Sequence, residues 1–194
     1  MRLYEHPNKK NISGSLEVIC GSMFSGKTEE LIRRIKRCQL ANLACEVYKP
    51  IIDTRYSMDE IISHNKSSIN AICIKKSSDI IKKTKNPDVI AIDEIQFFDK
   101  DIIPTCKRLA NSGIRVIVSG LDMDFLGNPF GHVPELLSIA ERITKIHAIC
   151  IDCGNIANHS YRIDNENQNI VELGASQNYK ALCRDCFNKE IKNA

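Results

Sequence analysis

Ser15-Leu16-Glu17-Val18-Ile19-Cys20-Gly21-Ser22-Met23-Phe24-Ser25-Gly26-Lys27-Thr28 is the stretch that decides the architecture. Residues 15–20 alternate well enough to be a strand, and they run directly into a glycine-bounded turn. Beyond the turn, Leu31, Ile32, Ile35 and Cys38 recur at helical spacing, with Arg33, Arg34, Lys36 and Arg37 at the complementary positions. Strand, glycine loop and helix in this order form an anion cradle. The glycines let the backbone curl so that successive N–H groups face a phosphate, and the helix N-terminus adds its dipole. Gly21, Ser22, Met23, Phe24, Ser25, Gly26, Lys27 and Thr28 satisfy the whole P-loop pattern. Lys27 is expected to contact the β- and γ-phosphates, and Thr28 to hold Mg²⁺ through its hydroxyl.

Working outward, Cys45-Glu46-Val47-Tyr48 reads as a second strand ending at Lys49-Pro50, and the polar region to about Asn70 reads as a mobile loop. Ser77-Ser78-Asp79 opens a helix that Asn86-Pro87 stops. Val89-Ile90-Ala91-Ile92 suits a strand buried on both faces. Asp99 or Asp101 can cap a helix carrying Ile102, Ile103, Cys106, Leu109 and Ala110, closed by Gly113. Another strand, Ile114 to Val118, leads through Ser119-Gly120 to a last helix bearing Val133, Leu136, Leu137, Ala140 and Ile143. Strands alternating with helices predict an α/β fold with a parallel sheet covered on both sides.

The acidic half of the phosphate site follows the buried strand. Asp93 is placed to engage Mg²⁺, and Glu94 could take a proton from a nucleophile; alternatively the two merely solvate a strand end. Phosphoryl transfer follows as the reaction class. The carboxylates do not by themselves separate a kinase from an ATPase, which activates water. Asp53-Thr54-Arg55-Tyr56 opens the polar region, where Arg55 could meet transferring charge and Asp53 could orient it or the metal; a solvated turn is the other reading. Phe97, Phe98, Phe125 and Phe130 lie beside strand C-terminal ends and could line an apolar slot, although aromatic residues are more often core.

With 194 residues, 43% hydrophobic and 26% charged, the composition excludes a disordered or collagen-like chain. Lys+Arg 27 against Asp+Glu 24 gives a formal charge of +3, too balanced for a dedicated nucleic-acid binder. Nine cysteines are uneven: Cys20, Cys38, Cys45, Cys73 and Cys106 are scattered, whereas Cys150, Cys153, Cys183 and Cys186 form two C-x-x-C knuckles. Four thiolates complete a tetrahedral Zn²⁺ shell with no open position, so the zinc is expected to be structural, and His147 and His159 are read as non-ligands. A redox dithiol and unligated buried cysteines are the competing readings. Residues 1–14 are read as an N-terminal extension, 15–146 as the P-loop α/β domain and 147–194 as the zinc-binding domain. The first residues carry no apolar core of signal-peptide length, and no later run approaches a membrane span; a cytoplasmic protein without a membrane partner is expected. Basic residues of the zinc segment are diluted by Asp152, Asp164, Glu166, Glu172 and Asp185, so no stable nucleic-acid partner is expected.

Five ordered motifs now stand together: Gly21 to Thr28 with Met23-Phe24-Ser25 inside, Asp53 to Tyr56, Asp93-Glu94-Ile95-Gln96-Phe97-Phe98, Leu121-Asp122 with Pro129-Phe130-Gly131, and the paired cysteines. From about Leu16 to Phe187 the chain closely resembles the thymidine kinases of the type found in human cytosol and many bacteria. The resemblance implies a RecA-like core with a zinc-ribbon and lasso, a homotetramer, and transfer of the ATP γ-phosphate to the 5′-hydroxyl of thymidine in pyrimidine deoxynucleotide salvage. It implies Glu94 as catalytic base, Arg55 and Asp53 at the phosphate end, and Asp93 and Gln96 on the nucleotide–metal side. It implies a nucleoside pocket of Met23, Phe97, Leu121, Phe125, Phe130 and Ser160, closed by the backbone of Ile170, Val171, Glu172, Leu173 and Gly174 and by Tyr179. Glu172 departs from the family's usual apolar residue. The competing class is a nucleic-acid-stimulated P-loop ATPase gripping its polymer with the ribbon.

Overall fold

The computed structural model describes residues 14–53, 60–62, 68–163 and 178–193. Its first strand, β1 (Ser15–Cys20), is buried at five of six positions, as expected of a strand inside a sheet covered on both faces. α1 (Lys27–Leu40) follows the glycine loop, and β2 (Cys45–Pro50), β3 (Glu60–Ile62), β4 (Ser68–Asn70), β5 (Ile72–Ile74) and α2 (Ser78–Lys83) come next. They are succeeded by β6 (Val89–Ile92), α3 (Ile102–Asn111), β7 (Arg115–Gly120), α4 (Val133–Ile139) and β8 (Arg142–Lys145). Six strands form one sheet in the order β5-β2-β6-β7-β1-β8, and every pairing is parallel. Val18 faces a cluster built with α2, α3 and α4, whereas Ile19 faces one built with α1 and Ile61 of β3. Each fully buried Val or Ile of this kind contributes about 1.5–3 kcal/mol.

Three sequence expectations need correction. The polar region before Asn70 is not all loop: β3 and β4 pair antiparallel, Ile61 opposite Ile69, and Ile61 is buried against the α1 face. The last helix stops at Ile139, because Ala140 turns extended at ψ 137° and the Glu141 N–H donates to the Leu16 carbonyl at 3.0 Å. Ile143 therefore belongs to β8, an edge strand paired with β1. Phe98 is core, packed with Ile95 and Ile102, and lines no slot.

After β8 the chain forms two short antiparallel ladders, β9 (Ala148–Ile149) with β10 (Ile156–Ala157), and β11 (His159–Arg162) with β12 (Tyr179–Leu182), followed by α5 (Arg184–Asn193). Its own cluster is small: Ala148, Cys150, Ala157, Tyr161, Ala181, Leu182, Cys183 and Phe187. Among the described residues no helix is long and apolar enough to cross a membrane.

Candidate active site

The order of the sheet puts the chemistry at one edge. β7 lies between β1 and β6, so the loop leaving its C-terminal end emerges between the P-loop and the acidic pair. Ligands of open α/β sheets bind outside these carboxyl ends.

The P-loop folds upon the Ser22 carbonyl, which accepts from Ser25 Oγ at 2.7 Å and Lys27 Nζ at 2.8 Å. Gly26, at φ 87°, is left-handed at the N-cap of α1, a conformation that costs glycine nothing. Thr28 Oγ1 donates to Asp93 Oδ2 at 3.2 Å, joining the loop to the tip of β6. A Thr hydroxyl and an Asp carboxylate so placed are the oxygen donors that Mg²⁺ takes beside phosphates. Cys20, just before the loop, is not a nucleophile: burial and then the Asp122 charge push its thiol up to about 11.

Four non-glycine residues among those described have positive φ. Asn42 and Asn86 tolerate it readily; the other two are Phe24 and Glu94, both at this edge. Glu94 sits at φ 50° and ψ 44°, strain of about 1–3 kcal/mol of the kind stored at functional sites. Its carboxylate, 8% exposed in the residue as a whole, accepts from Gln96 Nε2 at 2.6 Å. Gln96 in turn accepts at Oε1 from the Leu121 N–H at 3.0 Å. A Cβ on Gly120 would lie 2.5 Å from that oxygen, so only glycine leaves room for the brace.

Leu121 opens a tight hairpin. Met123 and Pro129 form a bridge, and Asp124 Oδ1 accepts from the N–H groups of Leu126 at 2.9 Å and Asn128 at 2.8 Å. Phe125 and Phe130 leave this hairpin, and the Phe130 ring meets Phe97 edge-on with centroids 5.8 Å apart. Met23 is brought to the same place: its N–H donates to Ser160 Oγ of β11 at 2.9 Å. Asp53 is buried beyond β2, its N–H donating to the Pro50 carbonyl at 3.0 Å, and Tyr179 begins β12. Arg55, Ile170, Val171, Glu172, Leu173 and Gly174 lie outside the described residues.

The structure adds residues that sequence reasoning passed over. Arg162, 1% exposed, places its guanidinium 3.7 Å from the Phe125 ring centroid. Asp124 organises the hairpin, and an Asp four residues before Asn128 in a Gly-containing loop was its only sequence signal. Lys145 pairs with Asp122 at 2.7 Å beside the P-loop strand. Far from the reacting end, Glu17 gathers Arg34 at 2.8 Å, Arg115 at 2.7 Å and Arg142 at 3.3 Å on one carboxylate.

The four knuckle sulfurs, from Cys150, Cys153, Cys183 and Cys186, all lie within 4.8 Å of one another, and Cys153 and Cys183 are 3.6 Å apart. Ligand sulfurs about 2.3 Å from a tetrahedral Zn²⁺ would be about 3.8 Å apart, so the donor set fits that ion. At Cys150 burial opposes ionisation, but N–H groups of Cys183, Asp152 and Cys153 outweigh it and bring the thiol down to about 6. His159 stays out of the cluster and stacks on Phe187 at 4.4 Å; burial and then the Arg184 charge push its imidazole down.

A sequence profile for the family described as "Thymidine kinase" matches residues 14–187. A relative named thymidine kinase from Bacteroides thetaiotaomicron is 51% identical over 184 residues, covering 94% of this chain and 92% of that one. Another of that name, from Porphyromonas gingivalis, is 46% identical over 176 residues, covering 91% and 86%. Among solved structures, flagellar accessory protein FlaH from Methanocaldococcus jannaschii aligns with a TM-score of 0.50 at 16% identity, over 87% of this chain and 84% of that one. At that identity the likeness concerns the fold alone.

Proposed function

The chain belongs to the thymidine kinase family, and from that premise we propose that it transfers the γ-phosphoryl group of ATP to the 5′-hydroxyl of thymidine, giving dTMP. The observation that carries the reading is the brace at Glu94. A buried carboxylate one residue from the metal-side Asp93 is aimed by Gln96, and Gln96 is anchored to the start of the nucleoside hairpin.

P-loop amides and Lys27 hold the β- and γ-phosphates, and Thr28 with Asp93 would hold Mg²⁺, which supplies charge neutralisation on the phosphate oxygens. Glu94 accepts the 5′-hydroxyl proton as the new O5′–Pγ bond forms, and the bond from Pγ to the bridging oxygen breaks with its electron pair leaving on ADP. Asp53 and Arg55 serve the phosphate end. Met23, Phe97, Leu121, Phe125 and Phe130 line the nucleoside side with Ser160, and 170–174 and Tyr179 close over the base. Backbone groups suit a pyrimidine edge, whose donors and acceptors are fixed, and a dry site strengthens those bonds. The four cysteines would hold a structural Zn²⁺, which would anchor both ends of the closing segment. The same reading makes the molecule a cytoplasmic homotetramer working in deoxynucleotide salvage.

Incubation with ATP, Mg²⁺ and labelled thymidine tests the reaction, with single-stranded DNA replacing the nucleoside in a parallel arm. Labelled dTMP is the expected product. Phosphate release stimulated by DNA, with no dTMP formed, would overturn the reading.

A further inference from the structure

β11 is buried at all four positions and has two working faces. His159 and Tyr161 both pack on Phe187 of α5, inside the small cluster around the cysteines. Ser160 and Arg162, pointing the other way as strand alternation requires, leave that cluster for the phosphate-binding body. Ser160 takes the Met23 N–H of the P-loop at 2.9 Å, and Arg162 covers one face of Phe125 with its guanidinium 3.7 Å from the ring centroid.

Burying a guanidinium is costly unless specific contacts offset it, and Arg162 is the bulkiest fully buried side chain among the described residues. A cation over an aromatic face is one such contact, stronger when dry. The ring it covers is carried on a hairpin braced by Asp124, and the stack restricts the rotation of the Phe125 side chain. Phe125 is only half-buried, which leaves ring surface for a ligand. Arg162 is itself held in place: it is the register partner of Tyr179, and just beyond it the Ile163 N–H donates to the Asn178 carbonyl at 2.9 Å.

We propose that Arg162 is a positioning residue for nucleoside recognition: by stacking on Phe125 it fixes the orientation of the ring against which the base lies. This rests on the thymidine kinase reading. Its consequence is a selective one, since the ring that Arg162 covers belongs to the nucleoside side.

Steady-state kinetics of purified full-length variants provide the test. Arg162→Met keeps the length and loses the charge, and should raise the thymidine KM about tenfold, equivalent to about 1.4 kcal/mol, while kcat and the ATP KM stay within about twofold. Arg162→Lys should recover part of the loss. Phe125→Leu should raise the thymidine KM to a similar degree, and the double variant no further, because the two side chains act as one unit. Equal rises in both KM values, or losses that multiply in the double variant, would overturn the proposal. Should Arg162→Met not fold, Arg162→Lys alone and combined with Phe125→Leu carries the same comparison. A wild-type protein that forms no dTMP removes the kinase reading and the proposal together. A wild-type protein that forms dTMP, with Arg162→Met unchanged, removes only the role of Arg162.

Discussion

The proposed phosphate end and the proposed nucleoside end of the site are built in opposite ways. The first comes from two short contiguous runs, Gly21 to Thr28 and Asp93 to Gln96, each at the tip of a buried strand and joined by the Thr28–Asp93 contact. The second is gathered from Phe97, a hairpin at 121–130 and strand β11, pieces whose neighbours in space are remote in sequence. Local backbone geometry secures the cradle, whereas tertiary contacts secure the slot. Damage to the two should therefore separate kinetically.

Replacing Glu94 by Gln attacks the cradle side and carries the largest effect. Turnover should fall by about 10²–10⁴-fold, with the ATP dissociation constant nearly unchanged, as measured by single-turnover kinetics and nucleotide titration. Near-normal turnover would remove Glu94 from the mechanism and blur the division between the two ends.

Glu17 offers a control that belongs to neither. Burial alone would raise its carboxyl, but the Arg115 hydrogen bonds, with the charges of Arg115, Arg34 and Arg142, reverse this and hold it below the ordinary carboxylate range. A lowered folded value means stability that is complete above the ordinary range and is lost as pH falls through the folded value. Glu17→Gln strands three arginines and should cost about 3 kcal/mol, a melting shift of roughly 6–12 °C in a chain of this size. Calorimetry at neutral pH should show that loss, and it should shrink as the pH is lowered, while neither KM moves.

At the slot side, Cys183→Ser or removal of metal should raise the thymidine KM about tenfold before the ATP KM responds, with metal content followed in parallel. Unaltered thymidine affinity in the metal-free protein would detach the cysteines from the slot. Ser160→Ala should have the smallest effect, about 1 kcal/mol for one lost hydrogen bond to Met23 N–H, read as a several-fold rise in thymidine KM. A larger rise in ATP KM than in thymidine KM would instead place Ser160 with the cradle.

The same contrast explains what could be read in advance. β1, β2, β6 and β7 are legible because apolar runs end at strong turn signals, and the P-loop is legible because its chemistry requires consecutive residues. β5 and β8 are not: at three and four residues on the sheet edges they are too short for periodicity to decide, and they exist through pairing with β2 and β1. Ile143 fits a continued helix by spacing, and the Glu141–Leu16 contact with the parallel pairing to β1 draws it into the sheet. The cysteine knuckles announce themselves by spacing, whereas Arg162 looks like any surface arginine until β11 is seen between two bodies. The brace from Gln96 to Leu121 spans 25 positions, a distance at which no periodicity speaks.

Strand β7 ends midway between its two chemically equipped neighbours, and the hairpin it launches is braced from within by a single aspartate. Its root at Leu121 is committed to Gln96, but its tip at Phe125 to Asn128 can be lengthened, trimmed or given new side chains while that anchor stays in place. Under the proposed reading, acceptor preference can drift at that tip while the amide nest and the paired acids are kept.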